Sequence, residues 1–251
     1  MALRAVGEEV DPGCPLGICE GTGWVVDEGG DATRCECAER QIRVSAGRRV
    51  GRGIPKRYRG VSFDRQPICD LDPSLLRGVR HYVRELAKNL DKGRGLWIHG
   101  DVGTGKTSLA MLVSKAALEA GRSVAIYSMP RLLARIRRTY ETESGEEGYL
   151  SFFDRLSSVD LLHLDDLGAE KRTDWVLEQL YAIVDRRYEE ERSMVVTTNL
   201  DVPALEEQIG ERTVSRLVEI CGDPLPLYGD DQRYRIETAS PPAPRGPNQP
   251  S

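Results

Sequence analysis

The sequence predicts an α/β protein, a parallel sheet flanked by helices, preceded by a small cysteine-bearing module. Three observations predict it. Short apolar runs alternate with helical periods across residues 96–219, as strands joined by crossover helices do. The run Leu96 to His99 leads into a glycine-rich stretch, Gly100-Asp-Val-Gly-Thr-Gly-Lys-Thr107. Four of the six cysteines fall in two close pairs near the N-terminal end, Cys14 with Cys19 and Cys35 with Cys37.

The length of 251 residues suggests one sizeable domain plus an appendage. With 39% hydrophobic and 30% charged residues there is material for one buried core, but no apolar run nears the ~20 residues that span a bilayer. The start, MALRAVGEEVDPG, lacks the apolar centre of a signal peptide. A cytoplasmic protein is therefore expected, without membrane contact, and its cysteines point to metal or buried thiols more than to disulfides. The net charge of −5 gives no general attraction for nucleic acid, so any such contact needs a local basic patch.

The glycine-rich stretch has the spacing of a phosphate-binding loop. Gly100, Gly103 and Gly105 can take backbone angles closed to other residues, turning successive N–H groups onto a polyphosphate. Lys106 supplies a cation near the β- and γ-phosphates, and the Thr107 hydroxyl a ligand for Mg²⁺. The nucleotide-binding set is thus Gly100, Asp101, Val102, Gly103, Thr104, Gly105, Lys106, Thr107 and Ser108, at the positive end of the helix that follows. Near the N-terminus, each cysteine pair can offer two sulfurs from a tight turn. The Gly-rich, hairpin-like stretch between them would bring Cys14, Cys19, Cys35 and Cys37 around one tetrahedral Zn²⁺, and a closed four-thiolate site is structural. Reduced structural thiols are the other reading.

Arg40 to Arg59 carries eight basic residues and no acid. This is either a contact for nucleic acid or an acidic partner, or a solvated linker, with a hinge at Gly51, Gly53 and Pro55. Val61 to Asp72 is expected to be extended. Pro73 opens one amphipathic helix to Asp91, with Leu75, Leu76, Val79, Tyr82, Val83, Leu86 and Leu90 at helical spacing. His81 on it reads as a surface or packing residue. After the loop helix, Ser123–Ser128 is a strand. A helix from Pro130 then sets Leu132, Leu133 and Ile136 opposite Arg131, Arg135 and Arg138, a face that is solvated or touches single-stranded nucleic acid. Residues 141–148 are expected to form a mobile acidic loop.

The strand within Ser158–Gly168 ends in Asp165 and Asp166. Asp165 is placed to hold Mg²⁺, and Asp166 to orient or deprotonate attacking water; His163 reads as packing. Asp174–Arg192 is a long amphipathic helix. Ser193–Asn199 is a strand whose Asn199 either positions water beside the loop or caps a turn. Glu206–Glu219 is read as one helix bearing Arg212 and Arg216. Either arginine could be salt-bridged within the chain or reach into a neighbouring subunit's site. Cys69 and Cys221 read as unpaired, buried or half-buried thiols, and the Pro-rich tail as disordered. The domains are residues 1–50 (cysteine module and basic linker), 51–238 (nucleotide-binding domain) and 239–251 (tail).

GDVGTGKT, LLHLDDLG, VVTTN and the SRL helix, in that order, resemble the AAA+ ATPases. The double Asp of LDDLG, the GIPKRYRGVSFD segment from Gly53 to Asp64 and the N-terminal cysteines narrow the resemblance to DnaC/DnaI-type helicase loaders, with IstB-like ATP-binding relatives. The first cysteine pair departs from that family's pattern, with four intervening residues where two are usual. The resemblance implies an AAA+ P-loop core with a zinc-binding module, ATP and Mg²⁺ held by Lys106, Thr107 and Asp165, and a catalytic set of Asp166, Asn199 as first sensor and Arg216 as arginine finger in trans. Arg212 is held in reserve for the finger and Arg235 as a second sensor. It further implies self-association, a replicative helicase as partner and engagement of single-stranded DNA. A transposition-helper ATPase and a slow-hydrolysing, nucleotide-gated adaptor are the competing readings.

Overall fold

Asp27 turns the chain back between the cysteine pairs. Its carboxylate accepts the N–H groups of Gly29 and Asp31, each at 2.9 Å, and the flanking residues pair as the antiparallel hairpin β1 (Trp24–Val26) and β2 (Ala32–Arg34). The computed structural model describes residues 14–27, 29–50, 53–141, 145–229 and 231. Arg235 and the tail of residues 239–251 lie outside them. Helix α1 (Glu36–Val50) follows β2, so the first half of the stretch open to a linker reading is helical.

Residues 61–72 are not extended. Single 3₁₀ turns form at Lys56–Tyr58 and Ile68–Asp70, because Pro55 and Pro67 hold φ at −60° and −83° in front of tight i→i+3 bonds. The helix expected from Pro73 to Asp91 is two, α2 (Pro73–Arg84) and α3 (Leu86–Asp91). Asp72 caps α2 by accepting from the N–H of Ser74 and Leu75. At the break, the Asn89 side chain donates to Tyr82 O at 3.1 Å, taking the carbonyl a continuous helix would give to its own backbone.

The main sheet comprises β3 (Leu96–His99), β4 (Val124–Ser128), β5 (Leu161–Asp165), β6 (Ser193–Thr198) and β7 (Leu225–Pro226). It runs in the order β4-β5-β6-β3-β7 with every pairing parallel. The connecting helices are α4 (Lys106–Glu119), α5 (Met129–Tyr140), α6 (Gly145–Ser158), α7 (Asp174–Glu189), α8 (Val202–Ile209) and α9 (Glu211–Cys221). Helix α6 begins inside the loop expected over residues 141–148 and replaces its last four residues. Buried Phe152 and Leu156, with half-buried Tyr149 and Phe153, recur at helical spacing, and their burial outweighs the poor helix propensity of Gly145 and Gly148. The single helix expected over 206–219 is broken between α8 and α9 by Gly210, at φ 92° and ψ 138°.

Strand alternation sorts the core into two layers. Trp97, Ala125, Tyr127, Leu162, Leu164, Met194 and Val196 face α5, α6, α7 and α9. Ile98, Val124, Ile126, Leu161 and Val195 face α2, α3 and α4. By the same alternation His163, Asp165 and Thr197 look toward α4, which decides what the site can contain.

Candidate functional site

The carboxyl ends of β3, β5 and β6 lie side by side, with His99 opposite Thr198 and Leu164 opposite Val196. From this edge the chain turns into the phosphate loop. Gly100 has φ 142°, and a Cβ there would sit 2.0 Å from Leu227 O, so no larger residue fits. Thr104 donates to Asp101 O at 2.9 Å. Asp101 accepts the Gly229 N–H at 3.3 Å. Helix α4 begins at Lys106 without a side-chain cap, leaving its first N–H groups for an anion. The buried Lys106 Nζ donates to Gly100 O at 2.8 Å and Asp101 O at 2.5 Å.

Opposite the loop, the two carboxylates are held in place by β6 and α4. Asp165 Oδ1 accepts from Thr107 Oγ1 at 2.9 Å and from Thr197 Oγ1 at 2.8 Å. Asp166 sits at φ 61°, a left-handed conformation uncommon outside glycine. It is gripped on three sides. Its N–H donates to Thr197 Oγ1 at 2.9 Å. Its Oδ1 accepts from Asn199 Nδ2 at 2.9 Å. The next N–H, of Leu167, donates to Thr197 O at 2.8 Å. His163 is fully buried behind Asp165, its Nδ1 paired with Ser114 Oγ at 2.9 Å and its Nε2 4.0 Å from Asp165 Oδ1. Burial holds its pKa down to about 4, so it is neutral at pH 7.

A cleft of about 790 Å³ joins these walls, within the range of small-ligand sites. Val102, Gly103, Gly105, Lys106, Thr107, Ser108, Asp165, Asp166 and Asn199 line it, while Gly100, Asp101 and Thr104 shape the turn behind. The third wall was not assigned from the sequence: Arg57, Tyr58, Val61, Arg65, Gln66 and Pro67. These residues come from the segment read as linker and extended lead-in, and its only signal was the Gly53–Asp64 stretch. Thr197, also in the lining, was missed because its hydroxyl looks like any strand threonine. Thr107 and Asp165 bring a hydroxyl and a carboxylate oxygen within 2.9 Å of each other, and both are the hard donors that suit Mg²⁺.

Arg216 lies away from this cleft. On α9 its Nε pairs with Asp185 of α7 at 3.2 Å and its Nη1 with Glu219 at 3.1 Å. Its guanidinium also stands 4.0 Å above the Tyr188 ring. Arg212 is exposed and has no ion-pair partner among the described residues.

The four cysteines converge as well. All four Sγ atoms lie within 4.8 Å of one another and all are buried. Cys37 Sγ is 3.6 Å from that of Cys14 and 3.4 Å from that of Cys19, close to the edge of about 3.8 Å of a tetrahedron with Zn–S near 2.3 Å. The Gly23 N–H donates to Cys19 Sγ at 3.3 Å. Hydrogen bonding to the backbone around Cys19 draws Cys14 down to about 6, whereas its contact with Cys35 pushes Cys37 up. Crowded thiols that cannot all ionise alone are what a divalent cation relieves, so the donor set fits zinc.

Comparison with known proteins agrees with this geometry. The family model of the IstB-like ATP binding protein matches residues 71–219. The replicative helicase loader DnaC of Buchnera aphidicola subsp. Acyrthosiphon pisum (strain APS) is 30% identical over 168 residues, 66% of each chain. That of Escherichia coli (strain K12) is 27% identical over 197 residues, 77% of this chain and 78% of its own. The chain thus spans just under two thirds of the Buchnera relative's length. The crystal structure of the DnaC helicase loader aligns with a TM-score of 0.59 at 27% identity, over 69% of this chain and 99% of that one. Nearly all of that chain overlays this one, and the family match spans the loop, both carboxylates, Asn199 and Arg216. The protein therefore has the AAA+ fold and belongs to the family of IstB-like ATP binding proteins.

Proposed function

We propose that this protein is an ATP-dependent loader of a replicative DNA helicase, hydrolysing ATP at interfaces between its own subunits. One observation carries the hydrolytic part. Asp165 and Asp166, on adjacent residues, are turned to different tasks by Thr107, Thr197 and Asn199. Lys106 and the uncapped start of α4 hold the phosphates. Thr107 and Asp165 hold Mg²⁺, which neutralises phosphate charge when bound. Asp166 accepts the proton of the attacking water, and the Asn199 amide, shared between Asp166 and the cleft, orients that water. Arg216 serves the site of the adjacent subunit, exchanging Asp185 and Glu219 for phosphate oxygens.

Two surfaces support the loading role. Arg131, Arg135, Arg137 and Arg138 of α5 are exposed and none forms an ion pair among the described residues. Arg135 lies over the Phe152 ring and Arg137 over the Trp175 ring, and the exposed guanidinium groups offer positive charge to single-stranded DNA. The zinc-binding module exposes Leu16, Ile18, Trp24 and Val26, and α1 exposes Ile42. Such side chains outside a core mark a protein partner, here the helicase. Similarity to the replicative helicase loader DnaC supports a helicase as that partner.

The test is complementation. Arg216→Ala and Asp166→Asn subunits should each be nearly inactive as ATPases, and mixing them should restore turnover at mixed interfaces. Absence of restoration excludes Arg216 as the trans-acting group. Deposition of purified helicase on closed circular single-stranded DNA, with and without ATP, tests loading. If the protein deposits no helicase but activates a transposase, the transposition-helper reading replaces this one.

A further inference from the structure

We infer that Thr197 is a positioning residue for hydrolysis, orienting both carboxylates through one hydroxyl; this rests on the ATPase reading above. The hydroxyl has one proton to give. Asp165, as a carboxylate, can only accept, so the proton of Thr197 Oγ1 points to Asp165 Oδ1 at 2.8 Å. Its lone pair is thereby left for the Asp166 N–H at 2.9 Å. Donor and acceptor roles are both spent inside the site, and Thr197 is 1% exposed, so water does not compete.

The two bonds do different work. Thr107 and Thr197 converge on Oδ1 of Asp165, which leaves Oδ2 without a hydrogen-bond partner among the described residues and available to a cation. The bond from the Asp166 N–H anchors a backbone at φ 61°, a conformation an aspartate holds only when its surroundings insist on it. Thr197 O receives Leu167 N–H at 2.8 Å and the Thr198 hydroxyl donates to Leu167 O at 2.7 Å. Among the described residues, however, only the Thr197 hydroxyl bonds to both acidic residues. Serine preserves it; valine keeps the shape and deletes it.

The experiment compares Thr197→Val and Thr197→Ser with the unmodified protein and with Asp166→Asn. Three quantities are read: ATP turnover, affinity for a fluorescent ATP analogue without Mg²⁺, and the Mg²⁺ concentration that half-saturates its Mg²⁺-dependent signal. Thr197→Val should lower turnover about 10- to 100-fold and raise the Mg²⁺ requirement by a similar factor, as loss of an outer-shell partner does. Metal-free affinity should be unchanged, which certifies a folded cleft, and Thr197→Ser should recover both losses. A valine variant with normal turnover and normal Mg²⁺ requirement overturns the assignment, as does a serine variant as poor as valine. If the unmodified protein and Asp166→Asn turn over alike, the hydrolysis reading fails instead. Thr197 is then judged by the Mg²⁺ requirement alone, and an unchanged requirement in Thr197→Val overturns it.

Discussion

Arg187 shows how one residue can hold a fold together without touching its site. Fully buried on α7, it donates through Nη1 to Leu156 O and Ser157 O and through Nη2 to Val159 O and Ser193 O, at 2.6 to 3.0 Å. It thus satisfies the last carbonyls of α6 and ties them to the starts of β5 and β6. Burial draws its pKa down to about 9, still above neutrality, so it remains charged against the negative end of α6. Arg187→Leu strands those carbonyls and should cost about 3–5 kcal/mol, the range for breaking a buried charged network. For a chain of this size that lowers Tm by roughly 6–20 °C. Thermal unfolding measures it, and a loss under about 1 kcal/mol would mean the carbonyls find water instead. Lysine should fail too, because one ammonium cannot span four carbonyls.

At the scale of elements, the hairpin and α1 form a unit too small to have much core of its own. Among the described residues its buried side chains are the four cysteines, with Val25 and Ala38 packed against them, so zinc, if held there, would supply much of its folding free energy. Chelation or Cys35→Ser should release zinc and expose residues 14–35 to protease while the Tm of the AAA+ core stays nearly unchanged. Zinc analysis and limited proteolysis together check this, and concerted melting of both parts would contradict it. Helix α1 lies beside β4 and α6, and its Arg40 donates to Glu119 O at the end of α4. Its stem lies where a Cβ on Gly121 would be. The phosphate-loop helix thus begins at the nucleotide cleft and ends on the cysteine-bearing unit. Arg40→Ala should loosen that unit, seen as faster cleavage between it and the core with zinc still bound. On α5, replacing Arg131, Arg135 and Arg138 with alanine should weaken single-stranded DNA binding and flatten its log–log salt dependence by about 2, at roughly 0.7 per lost phosphate contact. An unchanged slope would assign this face to solvent.

Over the whole molecule, the cleft contains loop, carboxylates and Asn199 but not Arg216. On the proposed reading, a single subunit supplies the loop, Lys106, both carboxylates and Asn199, and its neighbour supplies Arg216. Specific ATPase activity should therefore rise with protein concentration as subunits associate. Arg216→Ala should lower the assembled rate by on the order of 10³ while leaving nucleotide affinity intact. Sedimentation with and without ATP, beside the concentration series, checks both. Activity independent of concentration would place hydrolysis within one subunit. No helix among the described residues is long and apolar enough to cross a membrane.

Local pattern was enough for much of this protein. The loop, the strand ending in Asp165 and Asp166, Asn199 and the cysteine pairs were legible because each is a short run whose chemistry depends on residue type and spacing. The hairpin was legible from its glycines. What escaped was decided by contacts distant in sequence. Helix α6 exists because Phe152 and Leu156 find a core, although Gly145 and Gly148 argue locally for a loop. The breaks at Glu85 and Gly210 need the Asn89 side chain and a left-handed turn that helical periodicity does not register. The wall of Arg57, Tyr58 and Arg65 joins the loop only through tertiary packing. So does Thr197, which reaches Asp165 because parallel pairing sets β6 beside β5 and strand alternation turns both residues toward α4. Sequence by itself determined which chemical groups the protein carries. Tertiary structure decided which of them meet, since hydrogen bonds act over about 3 Å and chain order says nothing of that distance.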